Sequence, residues 1–205
     1  MTGRLKHTRW LNKSKAAGRN PAPLFVFLKI LVKGGSNMFI VEGPDGSGKT
    51  TLANKIARGF NAEIFHAGGP PESREDILER IEFQFKQFGS ILDRASLITE
   101  HVYGPVLRGR SVLEPNEYKR LIQRYVDQGW ILIYCRPSIE VLLRYVKEEM
   151  DRVIRDEGKS YKREVHFIRV RANMPSIVSM YDRRISEARN LGMGVFDYVR
   201  NQSPV

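Results

Sequence analysis

Two rhythms of apolar and polar positions alternate along the chain. Met38-Phe-Ile-Val41 is a short unbroken apolar run closed by a glycine-rich turn, after which Leu52, Ile56 and Phe60 return at helical spacing. The succession then recurs. Ala62 to His66 reads as a second strand, stopped by the loop Gly68-Gly-Pro-Pro71. Ser73 caps a helix in which Ile77, Leu78, Ile81, Phe85 and Phe88 share a face, with Gly89 at its end. Ser90 to Arg94 predicts a short buried strand charged only at its exit. A less regular stretch follows. Pro115 then opens a helix with Tyr118, Leu121, Ile122 and Tyr125 inward and Gly129 at its end. Trp130 to Cys135 is the clearest strand, and Ser138 caps a helix through Val146. The segment from Met150 to Arg163 is charged and poor in apolar residues, so it reads as a mobile lid over the surface. A helical pattern from about Val165 to Ala188, kinked or divided by Pro175, precedes a last strand, Val195 to Val199.

Five apolar strands alternating with helices define the fold class: α/β, a five-stranded parallel sheet flanked by helices on both faces, with a charged lid. Ligands of such sheets bind at the carboxyl ends of the strands, where the glycine-rich turn and the pair Asp93-Arg94 both fall.

That turn, Gly43-Pro-Asp-Gly-Ser-Gly-Lys-Thr50, matches the eight-residue phosphate-loop pattern between a strand and a helix. Gly43, Gly46 and Gly48 let the backbone curl until its N–H groups converge on phosphate oxygens, and the helix adds the positive end of its dipole. Asp45, Ser47 and Thr51 complete the candidate nucleotide-binding set. Lys49 supplies a point charge for the β- and γ-phosphates, and Thr50 a hydroxyl ligand for Mg²⁺. ATP and Mg²⁺ are the cofactors this loop implies.

Charge changes the picture at one end only. Residues 1–37 hold Arg4, Lys6, Arg9, Lys13, Lys15, Arg19, Lys29 and Lys33 and no acid, eight of the net +11, leaving +3 for the other 168 residues. This basic head, expected to be disordered, is a nucleic-acid arm, a targeting peptide, or an extension upstream of a start at Met38; the last is favoured. Residues 38–205 form one domain, since 205 residues at 41% apolar composition suffice for one core. The run Pro23 to Val32 is too short to span a bilayer and is interrupted by Lys29, so no membrane association is expected. The single cysteine, Cys135, lies in an apolar run and reads as a buried structural thiol. His66 and His101 lack metal-ligand spacing.

Phe39-Ile-Val-Glu-Gly-Pro-Asp-Gly-Ser-Gly-Lys-Thr-Thr51 resembles the opening of thymidylate kinases, which share the Glu-Gly-x-Asp start and the doubled threonine. Asp93-Arg94 is similar to the family's Asp-Arg motif, and Tyr103-Gly-Pro-Val-Leu-Arg108 to a stretch of its phage-type members. The resemblance implies a kinase-type enzyme, a deoxynucleoside monophosphate acceptor with dTMP to dTDP foremost, a cytoplasmic site of action (the host cytoplasm if viral) and a possible homodimer. Carried over by residue, Asp45 would contact the sugar 3′-hydroxyl or the acceptor phosphate region. Asp93 would position Mg²⁺ through water, and Arg94 would hold acceptor and transferred phosphates together, as a planar guanidinium suits. Tyr103 is either a core aromatic or a contact to the acceptor base; Arg108 and Arg110 either touch phosphate or base or pair at the surface.

Two departures matter. Where the family carries an Arg-Glu-Pro-Gly-Gly-like segment this chain reads His66-Ala-Gly-Gly-Pro70, without the acceptor-binding arginine. Position 46 is glycine where one branch has an arginine, so a lid cation must serve: Arg152, Arg155, Lys159, Lys162 or Arg163, with Arg155 and Arg163 preferred as bidentate groups. Two other functions compete. A kinase acting on a nucleoside, a modified base in DNA or a polynucleotide end would use the same donor loop, with nucleic acid held through the basic head. An ATP-binding switch module would need a strand ending in Asp-Glu or Asp-Asp, which the chain lacks.

Overall fold

The computed structural model describes residues 38–156 and 161–199. The basic head, and Lys159 of the lid set, lie outside the described residues. Strand β1 (Phe39–Glu42) leads into helix α1 (Lys49–Phe60); β2 (Ile64–His66), α2 (Arg74–Phe85) and β3 (Ile91–Asp93) follow. Next come α3 (Ser96–Arg108), α4 (Pro115–Asp127), β4 (Ile131–Cys135), α5 (Ile139–Asp156), α6 (Tyr161–Ala172), α7 (Met174–Asn190) and β5 (Gly194–Tyr198). The strands form one sheet in the order β2-β3-β1-β4-β5, every neighbouring pair parallel. The expected α/β sheet is observed, all five strands within a residue or two of the apolar runs that predicted them.

Alternation along β1 divides the core. Ile40 faces a large cluster built with α3, α4 and α7, including Ile98, Tyr125 and Tyr181. Phe39 and Val41 face α1 through Leu52, Ala53 and Ile56. Register sets what meets at the carboxyl edge: Val41 and His66 both stand beside Asp93, and Glu42 beside Tyr134.

Several local expectations are corrected. The stretch after Arg94 is helix α3, hidden in the sequence because Gly104-Pro105 reads as a breaker, although Pro105 lies inside the helix. Helix α2 ends at Phe85 rather than near Gly89, and Phe88, expected inward, is 70% exposed. The helix expected to stop at Val146 continues to Asp156, so the described part of the charged segment is helical, α5 packing against α6. The last helical pattern divides at Asn173, with Pro175 in the first turn of α7, where a missing N–H costs least. Ser73 and Pro115 start their helices as expected; the Ser73 hydroxyl accepts from the Asp76 N–H at 3.2 Å. Among the described residues no helix is long and apolar enough to cross a membrane.

Candidate active site

The phosphate loop leaves β1 at Gly43, whose φ is +149°. A Cβ there would sit 2.3 Å from the Cys135 carbonyl oxygen, so only glycine lets the loop pass this close to β4. Gly48 caps α1, and Lys49 and Thr50 are that helix's first residues, next to the positive end of its dipole. Lys49 Nζ donates to the Pro44 carbonyl at 2.8 Å and lies 3.6 Å from Asp45 Oδ1, curled over the loop it would serve.

At the end of β3 the Thr50 hydroxyl donates to Asp93 Oδ2 at 2.7 Å, and His66 Nδ1 meets the same oxygen at 2.9 Å. Asp93 Oδ1 is buried and finds no hydrogen-bond partner among the described residues; neither does Ser47 Oγ in the loop. Two hard oxygen donors from facing elements, one with a lone pair unused, fit an ion such as Mg²⁺, which takes few protein ligands and completes its shell with water and phosphate. No cage of three or more His, Cys, Asp or Glu occurs among the described residues.

Arg94 follows in a left-handed conformation, φ +78°. Its N–H donates to the Val41 carbonyl at 3.1 Å, Gln84 Nε2 donates to its carbonyl at 3.3 Å, and the next N–H, of Ala95, donates to Glu42 Oε1 at 2.6 Å. The turn is thus clamped from three sides. The guanidinium stands 3.7 Å from Asp45 Oδ1, with Nε buried and unpartnered among the described residues. Burial opposes its charge, but the Asp45 and Asp93 carboxylates outweigh burial and raise its pKa.

Asp45 is where four elements meet. Its N–H donates to the Tyr103 hydroxyl of α3 at 2.9 Å, and its Oδ2 lies 3.4 Å from His166 Nε2 of α6. Burial alone would raise its pKa; the hydrogen bond from His166 and the charges of Lys49 and Arg94 hold it well below the usual range. Burial, together with the Asp45 charge, pushes the Tyr103 hydroxyl well above its ordinary value. Beneath the loop lies Glu42, with no exposed surface, accepting from the N–H groups of Gly43 and Ala95 and the hydroxyls of Thr99 and Tyr181. Burial lifts its carboxyl to about 7 against the nearby Lys49 charge.

Beside this junction opens a cavity of about 330 Å³. Asp45 lines it with its neighbours Arg94, Tyr103 and His166; Ile77, Pro70, Pro71 and Leu107 give it apolar walls; Glu100 and Arg108, either side of Tyr103 on α3, line it too. Arg80 also lines it, holding Asp76 at 2.7 Å and the Gly69 carbonyl at 2.6 Å, so an arginine from α2 stands against the loop that lacks one of its own. From α6 come Val165, His166 and Arg169. Arg155 and Arg163 are exposed on α5 and α6 and are not among these lining residues, and Arg152 pairs with Glu149 at 2.6 Å. Sequence reasoning assigned nothing to Glu42, Arg80, Glu100, His166 or Arg169. Glu42 had two signals, a carboxylate closing an apolar strand and the first place in the Glu-Gly-x-Asp start; the others are brought together only by the fold.

No family model matches the chain. A guanylate kinase of Mycoplasma genitalium is 23% identical over 147 residues, 62% of this chain and 61% of that protein. The pentafunctional AROM polypeptide of Schizosaccharomyces pombe is 29% identical over 122 residues, 55% of this chain and 8% of that one. The chain therefore spans less than two thirds of the length of either relative. Among solved structures, the YorR protein of Bacillus subtilis in complex with phosphorylated GDP has a TM-score of 0.59 at 19% identity, covering 79% of this chain and 85% of that one. The fold is the parallel α/β fold of P-loop kinases.

Proposed function

We infer that the chain is a nucleotide-kinase-type phosphotransferase, moving the γ-phosphoryl group of Mg-ATP to a nucleoside monophosphate. One arrangement carries the reading: the phosphate loop and a separate cavity adjoin at Asp45 and Arg94, so a donor and an acceptor can share one guanidinium. The loop N–H groups and Lys49 would hold the β- and γ-phosphates. Thr50 and Asp93 would hold Mg²⁺, which would supply neutralisation of the charge that develops on the β- and γ-phosphates. Arg94 would draw the acceptor phosphate toward the γ-phosphorus. The attacking oxygen is already anionic, so no base need take a proton from it. Asp45, held ionised, would repel a phosphate and accept from a hydroxyl, which favours the sugar hydroxyl of the two contacts considered for it. A lid cation would offset the negative charge of the transition state; Arg169 lines the cavity, whereas Arg155 and Arg163 are not among its lining residues. The resemblance puts dTMP first among acceptors, but its missing arginine leaves the base to the cavity's own side chains.

ADP release with Mg-ATP, measured across nucleoside monophosphates, free nucleosides and a DNA duplex, tests the reading on the full chain and on a chain starting at Met38. Stimulation by a monophosphate in both is expected. Activity with DNA alone, lost with residues 1–37, would replace it with a nucleic-acid kinase. Lys49→Ala should retain the fold and lose about 10³-fold or more in turnover, since a fixed charge aimed at the transferred group is removed; a folded variant with unchanged turnover would overturn the proposal.

A further inference from the structure

The cavity also carries an ion pair, Glu100 with Arg108, to which the proposed phosphoryl transfer gives no part. Glu100 is only 2% exposed and yet lines the cavity. Its Oε2 accepts from Arg108 Nη2, and its Oε1 accepts from the Val112 N–H at 2.9 Å. Arg108, two turns along α3, lines the same space with its side chain 31% exposed.

Gly104 lies one turn from each partner. A Cβ there would come within 2.7 Å of Glu100 Oε1, 2.9 Å of the Arg110 carbonyl and 3.0 Å of Arg108 Nη2. The glycine is what allows carboxylate and guanidinium to close over the helix, in the middle of which glycine is otherwise less favourable than alanine. Desolvating such a pair is itself unfavourable unless its remaining lone pairs and N–H groups find partners. Each carboxylate oxygen keeps one lone pair beyond the bonds named, and the guanidinium keeps N–H groups. Among the other lining residues, Ile77, Pro70, Pro71 and Leu107 offer a flat ring apolar contact, while Arg80, His166 and Arg169 bring further donors to the same space.

We propose that Glu100 and Arg108 read the base of the acceptor, and that they select a base bearing an exocyclic amino group over thymine and uracil. This rests on the cavity being the nucleotide-acceptor site. An amino N–H donates to the Glu100 carboxylate while the neighbouring ring nitrogen or carbonyl accepts from Arg108. Adenine and cytosine present that donor beside an acceptor; guanine presents two adjacent donors for the carboxylate and a carbonyl for the guanidinium. Thymine and uracil have one N–H flanked by two carbonyls. Seating that N–H on Glu100 sets a carbonyl oxygen against a carboxylate oxygen, a repulsion that rejects the wrong base more strongly than a missing contact would. The pocket thus points away from dTMP, toward which the N-terminal motif leads.

The test measures equilibrium binding of dTMP, dUMP, dCMP, dAMP and dGMP to the full chain by calorimetry, alongside kcat/KM for each with Mg-ATP. At least one amino-bearing monophosphate should exceed dTMP by about 10²-fold or more in affinity and in kcat/KM. Glu100→Gln, which keeps an acceptor for the Val112 N–H, should cut that ratio to within about tenfold with the thermal midpoint little changed, the loss falling on KM rather than kcat. Arg108→Lys, which leaves a cation beside Glu100, should do the same. A wild-type preference for dTMP, or a ratio unmoved in both folded variants, overturns the proposal and leaves the kinase reading standing. Binding of amino-bearing monophosphates without any ADP release would overturn the kinase reading and leave base selection intact.

Discussion

Arg94 occupies backbone space that suits glycine, at φ +78°, and does so at the point where donor and acceptor are proposed to meet. A side chain there costs about 1 kcal/mol. The clamp around it, from Val41, Gln84 and Glu42, maintains a conformation that the residue would not choose. Strain of this kind persists only where the surroundings hold it and clusters at functional sites, in keeping with the role proposed for the guanidinium. Arg94→Gly should therefore be more stable than Arg94→Ala by about 1 kcal/mol in urea unfolding, the reverse of the usual order. Both should lose phosphoryl transfer by about 10²-fold or more while keeping ATP affinity. Equal stabilities would show the turn to be relaxed; a selective loss of ATP binding would move Arg94 to the donor side. The loop residues were legible in the sequence because a backbone curled around phosphate needs glycine at fixed spacings. Glu100, His166 and Arg80 were not, because nothing in their local spacing distinguishes a cavity wall from a solvated helix face.

At the level of elements the strands were the easy part. A buried parallel strand needs apolar residues on both faces, so it appears as an unbroken run between turn signals, and β1 and β4 are such runs. Helices were legible where one face is buried and the other solvated, as in α4, and illegible where that contrast fails. Helix α3 is buried along most of its length and carries Glu100 and His101 inward, so no polar stripe marks it; Gly104-Pro105 then looks like an end. The α5–α6 pair fails in the opposite way, with charge dense enough to read as a loop although the segments keep helical hydrogen bonding. Placement of α6 matters most for the site. It brings His166 to Asp45 and Arg169 to the cavity, two residues just beyond the charged segment in which the sequence placed its candidate cations.

For the molecule as a whole, two buried groups set opposing responses to pH. The folded-state pKa of Glu42, about 7, lies above its ordinary 4.5, so its contribution to stability is full below 4.5 and lost as pH rises through 7. That of His101, pushed down to about 4 from 6.5 by burial and by the Arg184 charge, is full above 6.5 and lost as pH falls through 4. Each amounts to roughly 3 kcal/mol. Between 4.5 and 6.5 the two slopes nearly cancel. Urea unfolding across this range should show His101→Leu losing about 3 kcal/mol relative to wild type as pH rises from 4 to 6.5, and Glu42→Gln gaining a similar amount from 4.5 to 7. Difference profiles without slope would show that neither group keeps its shifted titration.

The close passage of Gly43 over Cys135 has one more consequence. The thiol is the chain's only one, it is buried, and burial pushes its pKa up to about 12, so a thiol-directed reagent finds almost nothing to attack until the seam between the phosphate loop and β4 parts. The protein thereby carries an intrinsic clock for that parting, readable in the unaltered chain without an added label. A nucleotide seated on the loop should slow the clock by the factor 1 + [L]/Kd, which makes the rate at which a single sulfur is modified a measure of donor affinity that requires no acceptor and no turnover.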